Sequence, residues 1–195
     1  MPHIELPEGY PGISAGFVYR PETAAPMREL AHILLHEAST DPSSLTPAER
    51  ELIATSVSAG NNTKFCALSH GAAATAHLGG DETLVKQVKT DFISAEISPK
   101  LKALLNIAAK VRQDGKLVTS ADVEAARKEG ATNLEIHDTV LIAAAFSMFN
   151  RYVDGLGTWQ PDNPEMYAQM GKHLAEEGYR APSIKQPVEE TAAVS

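Results

Sequence analysis

The chemically most suggestive stretch of the sequence is NNTKFCALSH, residues 61–70, which contains Cys66, the only cysteine of the chain. It opens with two asparagines and Thr63, all favourable residue types at helix N-caps, so a helix is predicted to begin near Thr63. Cys66 would then lie in the first turn, where free backbone N–H groups and the helix dipole favour a thiolate. His70 follows one turn later on the same face, where it could accept the thiol proton.

A second interpretation of this stretch stays open at this point. Free cysteines are among the most buried residue types, so Cys66 could instead be a core residue. Glu51, in the preceding predicted helix, is a candidate partner for His70 in a proton relay. A glutamate in that position is also commonly an ion-pair or capping residue, and the sequence alone does not place it beside His70.

The sequence contains no pattern that indicates a metal or a cofactor. One cysteine and one histidine supply too few ligands for a metal site. His32 and His36 are spaced to share a helix face, but no further ligands accompany them. We therefore predict neither a metal nor a cofactor.

Composition limits the partners and the compartment. A net charge of -8 over 195 residues argues against nucleic acid and against anionic membrane surfaces as partners. A single cysteine excludes an internal disulfide and fits a reducing compartment. The first residues lack the basic and apolar regions of a secretory signal, and the longest apolar run is too short to span a bilayer. These features predict a cytoplasmic protein.

The order of sequence signals predicts one all-helical domain with two appendages. Residues 1–24 are rich in proline and glycine and are predicted to form an irregular arm, while residues 179–195 are predicted to form a flexible tail. Between them, residues 25–178 show helical spacing of apolar residues and no sustained alternation. Two capping boxes, Thr46 with Glu49 and Thr132 with Glu135, mark helix starts.

A weak internal repeat accompanies these helices. Aligning Glu51 with Glu135 without gaps pairs Thr55 with Thr139, and it pairs Cys66 with Asn150. The alignment predicts a helical hairpin that is used twice, with a thiol only in the first copy.

Two segments resemble a known family. RELIATSVSAGNNTKFCALSHGAAA resembles the core of the carboxymuconolactone decarboxylase and alkylhydroperoxidase D superfamily. EIHDTVLIAAAFSMFNRYVDGLGT is similar to the peroxidase-related subgroup of that superfamily. The resemblance covers about residues 26–178. It implies an alkylhydroperoxidase D-like helical bundle that forms a homo-oligomer, such as a dimer, trimer or hexamer, with the site near subunit contacts.

The resemblance also implies roles for individual residues. The peroxidase members of the family carry a glutamate, then C-x-x-C, then a histidine four residues after the second cysteine. Glu51, Cys66 and His70 match the glutamate, the second cysteine and the histidine, while Thr63 replaces the first cysteine. The family pattern implies that Cys66 attacks the peroxide and that Glu51 and His70 relay its proton.

These observations predict an antioxidant, peroxidase-related enzyme that reduces organic hydroperoxides or hydrogen peroxide through Cys66. Because Thr63 cannot resolve a sulfenic acid, turnover would need an external thiol reductant as a partner. The alternative is a carboxymuconolactone decarboxylase-like acid–base enzyme, with Glu51 or His70 transferring protons on a small carboxylate or lactone. Arg50 and Arg151 are then the candidates to bind the carboxylate. A third possibility is a non-enzymatic redox sensor.

Overall fold

Nine α-helices and no β-strand make up the part of the chain that the structure describes, in agreement with the predicted all-α class. The structure is a computed structural model and describes residues 1–37, 43–180 and 185. The helices are α1 (Ile13–Tyr19), α2 (Pro21–Leu35), α3 (Pro47–Gly60), α4 (Lys64–His77), α5 (Glu82–Asp91), α6 (Pro99–Gln113), α7 (Ser120–Lys128), α8 (Asn133–Gly155) and α9 (Pro164–Glu177). None of these helices is both long and apolar enough to cross a membrane.

Both predicted capping boxes are present. The hydroxyl of Thr46 accepts a hydrogen bond from the backbone N–H of Glu49, and the Glu49 carboxylate accepts one from the backbone N–H of Thr46 at 2.9 Å. Thr132 and Glu135 make the same reciprocal pair at the start of α8. Each box satisfies two N–H groups that have no partner within the helix, which explains why α3 and α8 begin where the sequence predicts.

The N-terminal segment is more regular than predicted. It contains α1, and α2 begins at Pro21 and runs through Pro26. Gly12 anchors the start of α1, since its N–H donates to the carbonyl of Trp159 at 2.7 Å. A side chain at Gly12 would overlap the ring of Phe65, so glycine permits this close approach to α4. The contact joins residues far apart in sequence, which is why local patterns missed it.

The predicted second hairpin is wrong. In the gapless alignment, the turn at residues 60–63 corresponds to residues 144–147, which lie within α8. That helix continues without a break for 23 residues. The second segment carries none of the glycine and asparagine residues that end α3, so it has no signal to stop the helix. The similarity between the two halves therefore reflects two buried helices of similar composition.

The core consists of one large and one small cluster of buried side chains. The large cluster lies mainly between α2, α3, α6 and α8 and includes Leu52, Leu105 and Phe146. The small cluster lies between α4, α8 and α9, where it contains Phe65, Cys66 and other residues. The helices α4 and α8 thus contribute side chains to both clusters.

The contact between α4 and α9 depends on Gly171. A Cβ atom at Gly171 would lie 2.4 Å from the backbone carbonyl carbon of Ala72. Since backbone cannot rotate away as a side chain can, we expect Gly171→Ala to lower the free energy of unfolding by about 1–3 kcal/mol. Urea unfolding followed by circular dichroism measures this. The control is Gly155→Ala in α8, where a Cβ meets no atom within 4 Å; an equal loss in both variants would contradict the packing explanation.

Candidate active site

A tight turn at residues 60–63 joins α3 to α4 and sends α4 back along α3. Asn62 adopts a φ of 60°, a left-handed conformation that asparagine tolerates better than most residues. Glu51 and His70 lie at similar distances from this turn, so they face each other across the two helices. Nδ1 of His70 lies 2.9 Å from Oε2 of Glu51. The structure therefore brings together two of the three predicted site residues.

The carboxylate of Glu51 is buried, with 1% of its side chain exposed, and both of its oxygens have partners. Oε2 faces His70, and Oε1 accepts a hydrogen bond from the hydroxyl of Tyr179. Burial raises the pKa of Tyr179 well above its usual value, and the nearby Glu51 charge and hydrogen bond raise it further. Tyr179 therefore stays protonated and acts as the donor in this pair.

These contacts determine which nitrogen of His70 is available for chemistry. A carboxylate can only accept, so Nδ1 of a neutral ring carries the hydrogen and Nε2 carries a lone pair. No hydrogen bond between described residues engages Nε2. The ring is held by edge contact with Phe146, at 4.5 Å between centroids, and by stacking on Tyr179 at 5.6 Å. A carboxylate that orients an imidazole in this way is the arrangement of a general base.

His70 and Tyr179 line a cavity of about 420 Å³ formed chiefly by α1, α2, α4 and α9. This volume is in the range of small-molecule sites. The lining is mainly apolar, includes the basic side chains of Arg28 and His173, and contains no acidic residue among those described. A larger and more open groove of about 1150 Å³, beside α4, α5 and α9, contains none of the three predicted site residues. The geometry therefore favours the smaller cavity as the reaction site.

Cys66 lies in the first turn of α4, as predicted, but it does not line this cavity. Only 3% of its surface is exposed, and it packs in the small core cluster with Val153 and Met166. Burial raises the pKa of the Cys66 thiol to about 12, with a hydrogen bond to Asn150 opposing the rise and the charge of Asp154 adding to it. Nor does any hydrogen bond among the described residues join Cys66 to His70.

Thr63, at the position of the first family cysteine, is also buried. It precedes α4 as predicted, yet its side chain does not cap the helix. Its hydroxyl instead donates to Oδ2 of Asp154 at 2.5 Å. Asn150 accepts from the side chain of Asn61 at 2.9 Å and donates to Ser58 at 3.1 Å. The thiol is thus surrounded by a polar network that joins α8 to the α3–α4 turn.

The two arginines proposed as carboxylate ligands do not line the cavity. Arg50 is fully buried and pairs with Asp138 at 2.7 Å, so its charge supports the core. Arg151 is exposed and donates to the backbone carbonyl of Ser147. Arg28 is the arginine that the structure places at the cavity, where it lies over the ring of Phe17.

The remaining histidines do not assemble a metal site in the described part of the chain. The rings of His32 and His36 are 4.9 Å apart, and Nδ1 of His32 accepts the backbone N–H of Tyr179. Within residues 1–37, 43–180 and 185, no group of three or more His, Cys, Asp or Glu side chains is placed to hold a metal ion.

Sequence reasoning missed Tyr179 and Arg28. Tyr179 was assigned to the flexible tail, but the structure holds its partly buried side chain against Glu51 and His70. Its neighbour Arg180 is paired with acidic side chains of the α2 region. A usable signal was present, since Tyr179 is the only aromatic residue after α9 and follows a helix-ending glycine. The rest of the predicted tail, apart from Lys185, lies outside the described residues.

Comparison with known proteins agrees with the fold. The family model described as the carboxymuconolactone decarboxylase family matches residues 21–88, which include Glu51, Cys66 and His70. The alkylhydroperoxidase D core of a peroxidase-related protein from Ralstonia eutropha JMP134 is 28% identical, with a TM-score of 0.72 over 83% of this chain and 81% of that one. The chain is therefore similar to the carboxymuconolactone decarboxylase and alkylhydroperoxidase D superfamily, in sequence over residues 21–88 and in fold over most of its length.

Further solved structures share the fold of this chain. An uncharacterized peroxidase-related protein from Silicibacter sp. TM1040 is 25% identical, with a TM-score of 0.70 over 81% of this chain and 78% of that one. A protein of unknown function from Agrobacterium tumefaciens is 19% identical, with a TM-score of 0.65 over 78% and 99% of the two chains. Comparison with curated proteins finds no significant match. Two of the similar structures are thus named as peroxidase-related proteins.

The burial of Cys66 leads to a direct prediction. With a pKa of about 12, Cys66 is a thiolate in roughly one molecule in ten thousand at pH 8. We expect iodoacetamide to alkylate the native protein roughly a thousandfold more slowly than the same chain unfolded in urea. Mass spectrometry of timed samples measures both rates. Native alkylation as fast as in the unfolded chain would contradict the placement of Cys66.

Proposed function

We propose that the protein is an acid–base enzyme that removes or returns a proton at a carbon next to a carbonyl group of a small carboxylate or lactone. The observation that carries this proposal is the Glu51–His70 pair beside a partly open, mainly apolar cavity. The pair can do this chemistry without a metal, a cofactor or the thiol. The similarity of residues 21–88 to a family named for a lactone decarboxylase supports the same reaction type.

The proposed reaction uses the free nitrogen of His70. Nε2 takes the proton from the substrate carbon, and the C–H electrons move into an enolate. If the substrate instead loses CO2, the C–C electrons form the same enolate and a protonated His70 donates the proton to carbon. In either direction, Glu51 stabilises the imidazolium, because its Oε2 lies 2.9 Å from Nδ1.

The cavity supplies binding and a low dielectric. Arg28 is the charged group proposed to hold the substrate carboxylate, because its guanidinium lines the cavity and its pKa is lowered by partial burial. A desolvated guanidinium binds a carboxylate more strongly than an exposed one. The apolar remainder of the lining excludes water from the enolate.

The test is a panel of small lactone carboxylates and 3-oxo acids incubated with the protein in D2O. Proton NMR detects exchange at the carbon next to the carbonyl, and headspace analysis detects CO2. The proposal expects protein-dependent exchange or decarboxylation for at least one compound. The absence of both across the panel, together with thiol-dependent consumption of peroxide, would overturn it.

A second candidate is the one-cysteine peroxidase. The observation that favours it is that two similar structures, at 28% and 25% identity, are named peroxidase-related. In this reaction the Cys66 thiolate attacks a hydroperoxide, the O–O bond breaks, and a sulfenic acid and an alcohol form. Two equivalents of an external thiol then regenerate Cys66, with a disulfide and water as products. Because Cys66 is 3% exposed, the reaction requires α8 or α9 to move away from α4.

Peroxide consumption with an added small thiol tests this second candidate. The peroxidase proposal expects a rate that is lost in Cys66→Ser, whereas the acid–base proposal expects any background rate to be equal in both proteins. Cumene hydroperoxide and hydrogen peroxide serve as the oxidants, with dithiothreitol as the reductant.

A further inference from the structure

The short segment that follows α9 reaches the centre of the site. Tyr179 extends its side chain to α3 and α4, where its hydroxyl contacts both members of the proposed relay. It donates its hydrogen to Oε1 of Glu51, and its oxygen lies 3.2 Å from Nδ1 of His70. Its ring stacks on the imidazole at an interplanar angle of 13°.

The hydrogen-bond chemistry of this arrangement allows only one consistent pattern. A phenol has one hydrogen, and Glu51 takes it. The phenol oxygen can then only accept at His70, so the shared hydrogen must lie on Nδ1. Nδ1–H thus faces two acceptors, the Glu51 carboxylate and the Tyr179 oxygen, and both favour the tautomer that leaves Nε2 free. The raised pKa of Tyr179 keeps the phenol protonated, as this pattern requires.

The neighbours of Tyr179 hold it in place. Its backbone N–H donates to Nδ1 of His32 at 3.1 Å. Arg180 makes a bidentate pair with Glu29, at 2.6 and 2.7 Å, and a further pair with Glu37. Gly178 has a φ of 73°, and a Cβ there would lie 2.4 Å from Nδ1 of His32. Three consecutive residues therefore attach to the α2 region.

We propose that Tyr179 is a positioning residue of the active site, which selects the Nδ1–H tautomer of His70 and is held there by the attachment of residues 178–180 to the α2 region. This inference rests on the proposed function of the Glu51–His70 pair. It goes beyond that function because it assigns a role to a residue outside the family motif. It also implies that the site is complete only when residues 178–180, which follow α9, are in place.

The test is ¹⁵N NMR of the histidine side chains in mildly alkaline buffer, which distinguishes the two neutral tautomers without a substrate. In the wild type, His70 is expected to show a protonated Nδ1 and an unprotonated Nε2. Tyr179→Phe keeps the stacked ring and removes only the hydroxyl. In this variant we expect the ¹⁵N chemical shifts of Nδ1 and Nε2 of His70 to move towards each other, because the two tautomers become mixed. Tyr167→Phe is the matched control, since it removes a buried hydroxyl that donates to Pro161 at 3.0 Å, away from His70.

A second variant tests the attachment with the phenol intact. Gly178→Ala is expected to displace Tyr179 and to reproduce the change seen in Tyr179→Phe. Gly79→Ala is its control, because Gly79 has a similar φ of 67° but no atom within 4 Å of a new Cβ. If a variant fails to fold, the wild-type spectrum still decides, because a protonated Nε2 overturns the proposal.

The outcomes separate this inference from the proposed function. Unchanged His70 shifts in Tyr179→Phe overturn the positioning role, whatever the activity. Failure of the substrate panel, together with thiol-dependent consumption of peroxide, overturns the proposed function and leaves the tautomer result intact. Where a substrate is found, Tyr179→Phe is expected to lower kcat more than it raises KM, because the tautomer affects proton transfer more than binding.

Discussion

Replacement of His70 by glutamine is expected to lower the rate of proton exchange by about 10²–10⁴-fold, the usual contribution of a general base. Glutamine is close in size to histidine and can still donate a hydrogen bond to Glu51, so the Glu51 carboxylate keeps a partner. It cannot accept and return a proton as the imidazole does. Steady-state rates on the substrate identified by the panel measure the effect, with circular dichroism to confirm that the fold is retained.

His173→Gln is the matched control for this experiment. His173 lines the same cavity, but none of the hydrogen bonds among the described residues joins its ring to a carboxylate. We expect its replacement to change the rate by less than about tenfold, since it lacks the group that would stabilise an imidazolium. Equal losses of rate in the two variants would indicate that both histidines serve substrate binding in the same way. That result would contradict the assignment of His70 as the specific base.

The second large effect concerns stability. Asp138→Ala is expected to lower the free energy of unfolding by about 3–5 kcal/mol, because it removes the carboxylate from a buried ion pair with Arg50. Arg50 is 0% exposed and lies 2.7 Å from Asp138. The same guanidinium donates to the carbonyls of Leu34 and Leu45, at 2.8 and 3.1 Å, so it cannot move out to solvent without breaking those bonds. Urea unfolding measures the change.

Two further variants make this stability prediction specific. Glu124→Ala removes the exposed pair with Arg127, and it is expected to cost less than about 1 kcal/mol. The double replacement Arg50→Met with Asp138→Leu removes both charges, and it is expected to recover much of the stability lost in Asp138→Ala. If Asp138→Ala and Glu124→Ala lose the same amount, the buried pair is not the cause.

The elements that sequence analysis predicted correctly are those with local causes. Thr46 with Glu49 and Thr132 with Glu135 satisfy N–H groups within four residues, so the starts of α3 and α8 were visible in the sequence. The contact between Glu51 and His70 was not predicted from the sequence, although the spacing of the two residues about the turn is consistent with it. Glu51 lies nine residues before Gly60 and His70 seven residues after Thr63, and α4 returns along α3. Residues at similar distances from a helical turn face each other.

The features that were missed depend on contacts between distant parts of the chain. Tyr179 is held at the site because His32 and the acidic partners of Arg180 fix its backbone, and those residues are about 140 to 150 positions away. The burial of Cys66 depends on Val153 and Met166 from other helices. An N-terminal position in a helix favours a thiolate only where solvent or a donor can stabilise the charge, and here burial outweighs that effect.

The central claim is that chemistry proceeds through His70 and Glu51 rather than through Cys66. The most direct test compares wild type, Cys66→Ser and His70→Gln in the same proton-exchange assay on the same substrate. We predict that Cys66→Ser keeps a rate within about twofold of wild type, because the buried thiol touches neither the cavity nor His70, while His70→Gln loses most of the rate. Loss of the rate in Cys66→Ser with full activity in His70→Gln would contradict the claim.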